Sequence, residues 1–135
     1  MKPELDKQLC EKYPKLFKQR NKPMTETAMC WGFECGDGWY TLIDTLCGTI
    51  QSYIDNNQHL NVPQVEVVQV KEKFGGLRFY THGGNDKIDG MIWLAESMSY
   101  RICEECGNPG RVRKGSWIRS LCDNHADPDQ LDELL

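Results

Sequence analysis

Apolar residues recur at helical spacing in three segments of the chain, and each segment predicts an amphipathic helix. The strongest pattern is one stripe over about four turns, made of Trp39, Leu42, Ile43, Leu46, Cys47, Ile50, Tyr53 and Ile54. An earlier segment carries Leu5, Leu9, Tyr13, Leu16 and Phe17. A later one carries Ile88, Met91, Ile92, Ala95 and Met98. We therefore expect three helices that turn these residues toward a core.

Residues with special backbone preferences mark the ends of these helices. Pro14 is expected to end or kink the first helix, because proline lacks the N–H that a helix interior needs. Asp37 is well placed to cap the second helix, since its carboxylate can accept from free backbone N–H groups. That helix should end near residues 56–57, and the third should start at Asn85 or Asp86.

The stretch from residue 65 to residue 84 has the composition and turn signals of a β-hairpin. It begins with β-branched valines, and Gly75-Gly76 can supply the positive φ angles of a two-residue turn. A second, smaller hairpin is expected over residues 111–121. Residues 21–38 have many turn formers and no clear period, so we expect an irregular loop there.

Two pairs of potential metal ligands follow the third helix. Cys103 and Cys106 are separated by two residues, as are Cys122 and His125, and fifteen residues lie between the pairs. A two-residue gap lets both side chains of a tight knuckle point at one ion, and three sulfurs with one imidazole nitrogen complete a tetrahedron. Gly107 stands where the knuckle needs an easy turn. We expect one structural Zn²⁺, because four protein ligands leave no open position for catalysis.

The other cysteines lack such a pairing. Cys47 lies on the apolar stripe and Cys10 is next to Leu9, so both are expected to act as small hydrophobic residues. Cys30 and Cys35 have four residues between them, which zinc tolerates, but no matched pair follows. A second metal site is therefore the less favoured interpretation of these two residues.

The order of elements is helix, loop, helix, β-hairpin, helix and metal module, which predicts an α+β fold. We expect a small helix and β-hairpin core with a C-terminal finger of the treble-clef-like or zinc-ribbon type. The 135 residues should form one domain. Within it we assign residues 1–100 to the core, 101–126 to the zinc finger and 127–135 to an acidic tail.

Charge is unevenly distributed along the chain, which has 16 Lys and Arg, 20 Asp and Glu, and a formal net charge of −4. Residues 1–22 hold seven basic and three acidic residues, whereas residues 123–135 hold five acidic and no basic ones. The tail should be a short acidic helix that either docks through Leu131, Leu134 and Leu135 or frays. The acidic balance disfavours a general nucleic-acid coat but permits a local basic patch.

Several functional classes are disfavoured by what the sequence lacks. It has no run of 18 apolar residues, so we expect no membrane partner. Its first fifteen residues lack the apolar core of a signal peptide, and we expect a cytoplasmic protein. It has no GxSxG, P-loop or HExxH motif, and no histidine between Cys106 and Cys122 that could serve a nuclease of the His-Me finger class. We therefore expect a protein that is not an enzyme.

Basic and aromatic residues are concentrated on the two predicted hairpins. The candidate ligand-binding residues are Lys71, Lys73, Phe74, Arg78 and Tyr80 on the first hairpin, and Arg111, Arg113, Trp117 and Arg119 on the second. Guanidinium groups suit phosphates and aromatic faces suit stacking on bases, so the ligand should be anionic, flat or both. The competing interpretation is that each hairpin buries its aromatic residues and turns its Lys and Arg to water.

Three segments resemble small zinc-finger-containing proteins of tailed bacteriophages and prophages. They are the GDGW helix start at 36–39, the KFGGLRFY hairpin at 73–80 and the CxxCG…LCxxH finger at 103–125. The resemblance covers roughly residues 30–126, a large share of a domain of this size, and brings no established reaction. It implies an accessory protein that works in the cytoplasm of an infected bacterium.

On this basis we expect a non-enzymatic, zinc-stabilised binding protein that counteracts host defence. Its partner would be a host defence protein or an anionic nucleotide signal that it sequesters. The alternative is a nucleic-acid-binding regulator that uses the basic finger hairpin on phosphates. Two surfaces suggest a homo-oligomer, namely a strand edge at 65–70 and the stripe that begins at Trp39.

Overall fold

The computed structural model describes residues 1–134, with side chains through Leu131. Its helices are α1 (Pro3–Lys12), α2 (Tyr40–Asn56) and α3 (Asp86–Ser99), and its strands are β1 (Phe33–Glu34), β2 (Glu66–Lys73), β3 (Gly76–His82), β4 (Arg111–Arg113) and β5 (Arg119–Leu121). A 3-10 helix covers Pro128–Leu134. The predicted α+β class is confirmed. None of the helices in this described part is long and apolar enough to cross a membrane.

The core lies between the helices and one face of a three-stranded sheet. The strand order is β1-β2-β3, with β1 parallel to β2 and β2 antiparallel to β3. The predicted stripe of α2 supplies its buried members Trp39, Ile43, Leu46, Cys47, Ile50 and Ile54. The buried face of α3 contains fewer residues than predicted, because Met98 is 45% exposed.

The helix ends agree with the predicted positions, but one predicted cap is wrong. α1 ends at Lys12, two residues before Pro14, and α3 is capped by Asn85, whose Oδ1 accepts from the Ile88 N–H over 3.1 Å. Asp37 does not cap α2. Its Oδ1 instead accepts from the backbone N–H of Lys2 over 2.8 Å, so this carboxylate ties the start of α1 to the loop before α2.

The turn of the first hairpin is shifted by one residue from the prediction. Phe74 (φ +53°) and Gly75 (φ +84°) occupy the two turn positions, and Lys73 pairs with Gly76. Positive φ at both central positions matches the twist of the flanking strands. Gly76 is needed for another reason, because a Cβ there would lie 2.3 Å from the ring of Tyr100.

α3 closes the free edge of the sheet with two polar side chains. The outward N–H groups of β3 at Leu77 and Phe79 donate to Ser99 Oγ and to Glu96 Oε2, each over 2.9 Å. An edge strand with open N–H groups would otherwise be a template for pairing with another chain. This edge is therefore satisfied within the molecule.

The two surfaces proposed above for a homo-oligomer are both occupied within the chain. The strand edge at 65–70 is covered by β1 and by the Leu16 carbonyl, which accepts from the Val67 N–H over 2.8 Å. The α2 stripe is the core itself, and Trp39 at its start is fully buried. Neither surface is free to bind a second copy.

The described part of the acidic tail docks through the amide of Gln130 rather than through Leu131. Gln130 is buried, its Oε1 accepts from the Asp127 N–H over 2.9 Å, and its Nε2 donates to the Lys114 carbonyl over 3.1 Å. Leu131 is 41% exposed. The side chains of Leu134 and Leu135, which we expected to dock as well, lie outside the described residues.

Replacing Ser99 by alanine should lower the free energy of unfolding by about 1–3 kcal/mol, because the buried N–H of Leu77 would lose its acceptor. Urea denaturation followed by circular dichroism measures this change. Ser97→Ala is the matched control, since Ser97 is exposed on the same helix. Equal effects of the two substitutions would show that the hydrogen bond to β3 contributes nothing.

Candidate metal centre

The four side chains predicted as ligands meet at one point of the finger. Their ligand atoms all lie within 4.8 Å of one another. The sulfurs of Cys106 and Cys122 are 3.8 Å apart. His125 Nδ1 lies 3.7 Å from Cys103 Sγ and 3.2 Å from Cys122 Sγ. This group can hold a single metal ion.

The chain around the first ligand pair turns tightly and directs N–H groups at sulfur. Gly107 has φ +82° and donates its N–H to the carbonyl of Cys103 over 2.9 Å. Burial raises the pKa of the Cys103 thiol, but backbone N–H groups, with Cys122 contributing most, outweigh it and lower the pKa to about 7. The thiolate is the form of cysteine that binds metals, so the local backbone favours binding.

The knuckle lies directly on the backbone of the loop before α2. The Gly38 N–H donates to the carbonyl of Glu104 over 2.8 Å. A Cβ on Gly38 would lie 2.2 Å from the carbonyl oxygen of Cys103, and one on Gly36 would lie 2.3 Å from that of Glu104. Neither position has room for a side chain. The two glycines of the GDGW motif are therefore the surface on which the metal knuckle packs.

Two buried side chains complete this contact. Trp39 donates its indole N–H to the carbonyl of Ile102 over 3.0 Å. Glu104 accepts from the Gly36 N–H at Oε2 over 2.9 Å, and its Oε1 lies 3.6 Å from Nε of Arg119. Burial raises the pKa of Glu104, although the Gly36 N–H and the Arg119 guanidinium both act against this shift. The metal knuckle, the core loop and β5 are thus joined through one carboxylate.

Arg113, predicted as a ligand-binding residue, fills the interior of the finger instead. Its side chain is 1% exposed. Nε donates to the Leu121 carbonyl over 3.1 Å, and Nη2 donates to Asp123 Oδ1 over 2.8 Å. The apolar core of the finger is limited to Cys103, Leu121 and Cys122. A guanidinium whose three nitrogens each donate a hydrogen bond lies in the remaining interior, so the structure places Arg113 inside the finger and not on its surface.

Four of the other candidate residues lie where the two hairpins meet. Ser120 Oγ donates to the carbonyl of Gly75 over 2.6 Å, which packs the turn of the first hairpin against β5. Phe74 precedes Gly75 in the turn, Trp117 lies three residues before Ser120, and the two rings are 66% and 64% exposed. The expectation that hairpin aromatics point inward is therefore wrong for both rings. We refer to Lys73, Phe74, Trp117 and Arg119 as the hairpin junction.

Each aromatic ring of the hairpin junction has a cation beside it. The Arg119 guanidinium lies 4.6 Å from the centre of the Trp117 ring, and Lys73 Nζ lies 5.7 Å from the centre of the Phe74 ring. Arg119 also forms ion pairs with Glu104 and Glu105. Much of its charge is neutralised, and Lys73 is the exposed cation of the junction.

The remaining candidates lie on the strands rather than at the junction. Lys71 and Arg78 are cross-strand partners on the solvent side of the sheet, and Tyr80, on the same side, is 44% exposed. Arg78 Nη1 donates to the hydroxyl of Tyr100 over 3.2 Å. Arg111 is half-buried on β4. The nine candidates are thus divided between a sheet face, a junction and the interior of the finger.

The cysteines outside the metal centre have separate environments. Cys47 is fully buried, and burial raises its thiol pKa strongly. Burial likewise raises the pKa of Cys35 to about 12. Burial, followed by the charge of Asp6, raises the pKa of Cys10 to about 12. Within residues 1–134, neither Cys30 nor Cys35 joins a second cluster of three or more metal-binding groups.

The fold and the site together define a small α+β protein with a C-terminal finger whose Cys₃His group can hold one metal ion. Comparisons of the chain with protein-family models, with curated proteins and with solved structures find no match.

Cys103→Ser should abolish stoichiometric metal binding, because it replaces a buried sulfur ligand whose thiol pKa the backbone lowers. The metal content of the purified protein, measured by inductively coupled plasma mass spectrometry, tests this. Cys30→Ser is the control and should retain the metal of the unmodified chain. Undiminished metal in Cys103→Ser would remove this residue from the ligand set.

Gly38→Ala should destabilise the protein by about 1–3 kcal/mol or more and weaken metal retention, because the added Cβ would overlap backbone atoms of the knuckle. Gly90→Ala is the matched control, since a Cβ there meets nothing within 4 Å. It should stabilise the protein by up to about 1 kcal/mol through helix propensity. Chemical denaturation and chelator competition measure the two effects. A Gly38→Ala protein as stable as the unmodified chain would contradict the proposed packing.

Proposed function

We propose that this protein is a non-catalytic binding protein, folded around one structural Zn²⁺, whose hairpin junction captures a ligand of the nucleotide class. The observation that carries the proposal is the pair of exposed rings, Phe74 and Trp117, on the two hairpins that the hydrogen bond from Ser120 to Gly75 brings together. Such a ligand combines a flat base with an anionic phosphate, and the junction offers aromatic faces and a cation.

The donor set and its spacing support zinc as the metal. In a tetrahedron with zinc–sulfur bonds of about 2.3 Å, neighbouring sulfurs lie about 3.8 Å apart. The sulfurs of Cys106 and Cys122 have that separation, at 3.8 Å. Three thiolates and an imidazole suit Zn²⁺ better than the hard cations, which prefer oxygen. With four protein ligands the ion would stabilise the finger, and its binding free energy would contribute on the order of 10 kcal/mol to folding.

Exposed aromatic rings beside cations are well suited to stack on a base. Arg119 lies over the Trp117 ring, and this contact fixes the orientation of the indole. Stacking of a nucleobase on an aromatic side chain contributes about 1–3 kcal/mol and requires no particular base. Lys73, exposed at the same junction, supplies a positive charge for a phosphate.

The distribution of charge favours a single nucleotide over a nucleic-acid duplex. Arg113 is buried, and Arg119 is paired with Glu104 and Glu105. Two of the three arginines among the candidates on the finger hairpin therefore carry little free charge. Binding to a duplex relies on several unpaired Lys and Arg that contact successive phosphates. The nucleic-acid-binding alternative therefore finds less support in the geometry.

The resemblance of residues 30–126 to phage proteins is the ground for the biological part of the proposal. A protein of this kind would act in the cytoplasm of an infected bacterium, where capture of a nucleotide signal blocks the host response that the signal triggers. A protein component of host defence is the other partner that this setting offers. This part of the proposal rests on the resemblance and on the class of small phage accessory proteins that it implies.

Trp117→Ala and Phe74→Ala should each weaken nucleotide binding by about 1–3 kcal/mol, because each removes one stacking surface. The experiment is isothermal titration of the zinc-loaded protein with a panel of linear and cyclic mono- and dinucleotides. Trp31→Ala is the matched control, since Trp31 is 62% exposed and lies outside the hairpin junction. It should bind as the unmodified chain does.

The possible outcomes separate the proposals. Nucleotide binding that survives both junction substitutions would contradict the site. Failure of every nucleotide to bind would contradict the ligand class, and capture of a host protein would then replace it. Binding of duplex DNA with a log–log salt slope near −0.9 per phosphate would favour the regulator instead.

A further inference from the structure

Gly90 lies in the interior of α3, and no contact within the described molecule requires a glycine at this position. Glycine there costs about 1 kcal/mol relative to alanine, because it loses the most backbone entropy on folding. Such a glycine is usually explained by a neighbour that leaves no room for a Cβ. A Cβ on Gly90 would meet nothing within 4 Å. The described chain contains no neighbour that accounts for this residue.

The largest exposed apolar side chains of the helix stand next to this glycine. Trp93 is 74% exposed and Leu94 is 63% exposed. Trp93 lies on the side of α3 away from its buried residues Ile88, Ile92 and Ala95, and Leu94 also borders an apolar groove between α3 and α2. Exposing a tryptophan and a leucine together to water is unfavourable, and the free-energy cost increases with the apolar area that they expose.

The exposed face of α3 has the same pattern when read in either direction. At helical spacing it carries Asp86, Gly90, the pair Trp93 and Leu94, and Ser97, and Arg101 follows in the turn after the helix ends at Ser99. The two large apolar residues form the centre, a small residue lies on either side, and an acid and a base stand at opposite ends. We refer to these residues as the α3 stripe.

We propose that the α3 stripe binds the same stripe of a second copy of this chain, with the two helices antiparallel about a two-fold axis between Trp93 and Leu94. This axis sets Gly90 opposite the partner's Ser97, and small residues at both points let the helices approach closely. The apolar residues of the two copies then cover one another. A two-fold interface requires a surface that is complementary to itself, which the α3 stripe is.

Charge complementarity selects the antiparallel arrangement. In this arrangement Asp86 lies opposite the partner's Arg101. Asp89, one turn further along α3, lies near the same end of the partner's helix. Within the described chain no ion pair is formed by Asp86, Asp89 or Arg101. Lys87, which would meet like charge, lies 5.9 Å from the centre of the Tyr53 ring and so is directed toward α2. A parallel arrangement would set the acids of one copy against the acids of the other.

The length of the stripe sets the strength of the interaction. α3 has 14 residues, and a helix of that length is about 21 Å long. A contact between two such helices falls at the low end of the interface sizes seen in stable complexes. We therefore expect a reversible dimer with a dissociation constant on the order of 10–100 μM.

The decisive variant is Gly90→Leu, examined by sedimentation equilibrium of the metal-loaded protein at concentrations from about 10 μM to about 1 mM. The Cβ of the leucine meets no atom of its own chain within 4 Å and leucine raises helix propensity, so the monomer should be at least as stable as before. At the interface it occupies the space of the partner's helix. We expect the dissociation constant to rise at least tenfold.

Gly90→Ala is the matched control for helix propensity, because its methyl group is small enough for close packing. It should change the dissociation constant by less than threefold. Metal content and urea denaturation of each variant verify that the fold is retained. A chain that stays monomeric up to about 1 mM, or that dimerises equally well with leucine at position 90, would overturn the proposal.

Charge reversal tests the antiparallel register separately. Arg101→Glu should weaken the dimer about threefold to tenfold, and Asp86→Arg combined with Arg101→Glu should restore it by exchanging the two ends of the ion pair. A mixture of the single variants Asp86→Arg and Arg101→Glu should form heterodimers in which both pairs are oppositely charged, and so should bind more tightly than either variant alone. Single reversals without effect, or no recovery in the double variant, would overturn the antiparallel pairing.

Discussion

The close approach of two backbones, at Gly36 and Gly38 on one side and at the ligand knuckle on the other, is the constraint on which the rest of the structure depends. The carbonyls of Cys103 and Glu104 lie where Cβ atoms of these glycines would be. Because no side chain intervenes, the position of the knuckle is fixed by backbone hydrogen bonds and by the indole of Trp39. The same tryptophan begins the apolar stripe of α2. The metal ligands are therefore positioned by the core, and the core is closed by the finger.

The finger shows how a module of about 25 residues forms an interior with little hydrophobic material. Its buried side chains include an arginine and a glutamate, each held by hydrogen bonds to backbone groups or ion-pair partners. Polar residues with fixed partners specify geometry, whereas a small apolar cluster would tolerate alternatives. For binding, the consequence is that aromatic and basic side chains of the finger hairpin have the opposite orientation to the one expected from their polarity. The finger hairpin turns Trp117 to solvent and Arg113 inward, so its aromatic surface is available and part of its charge is not.

Much of the fold was predictable from sequence because its signals are periodic. The stripe of α2, the valines of β2 and the paired ligand spacing each repeat a short pattern that only one local structure satisfies. The features that sequence analysis missed depend on contacts between distant segments. The two-residue strand β1 is too short for any period, and it exists because Val70 and Lys71 offer it partners. The turn register shifted because Phe74 adopts positive φ, which places Gly76 against Tyr100. The roles of Gly36 and Arg113 could not be inferred without knowing which segment lies beside them.

The long sequence separation of the knuckle contacts has a consequence for how the chain folds as it is synthesised. The hydrogen bond from Trp39 to Ile102 joins residues 63 positions apart, and that from Gly36 to Glu104 joins residues 68 apart. A ribosome-bound chain that ends before these residues has no partner for the N–H groups of Gly36 and Gly38. Contacts between residues so far apart in sequence form late, because a long loop must close before they contribute to stability. Completion of the core therefore waits for the finger to emerge from the ribosome.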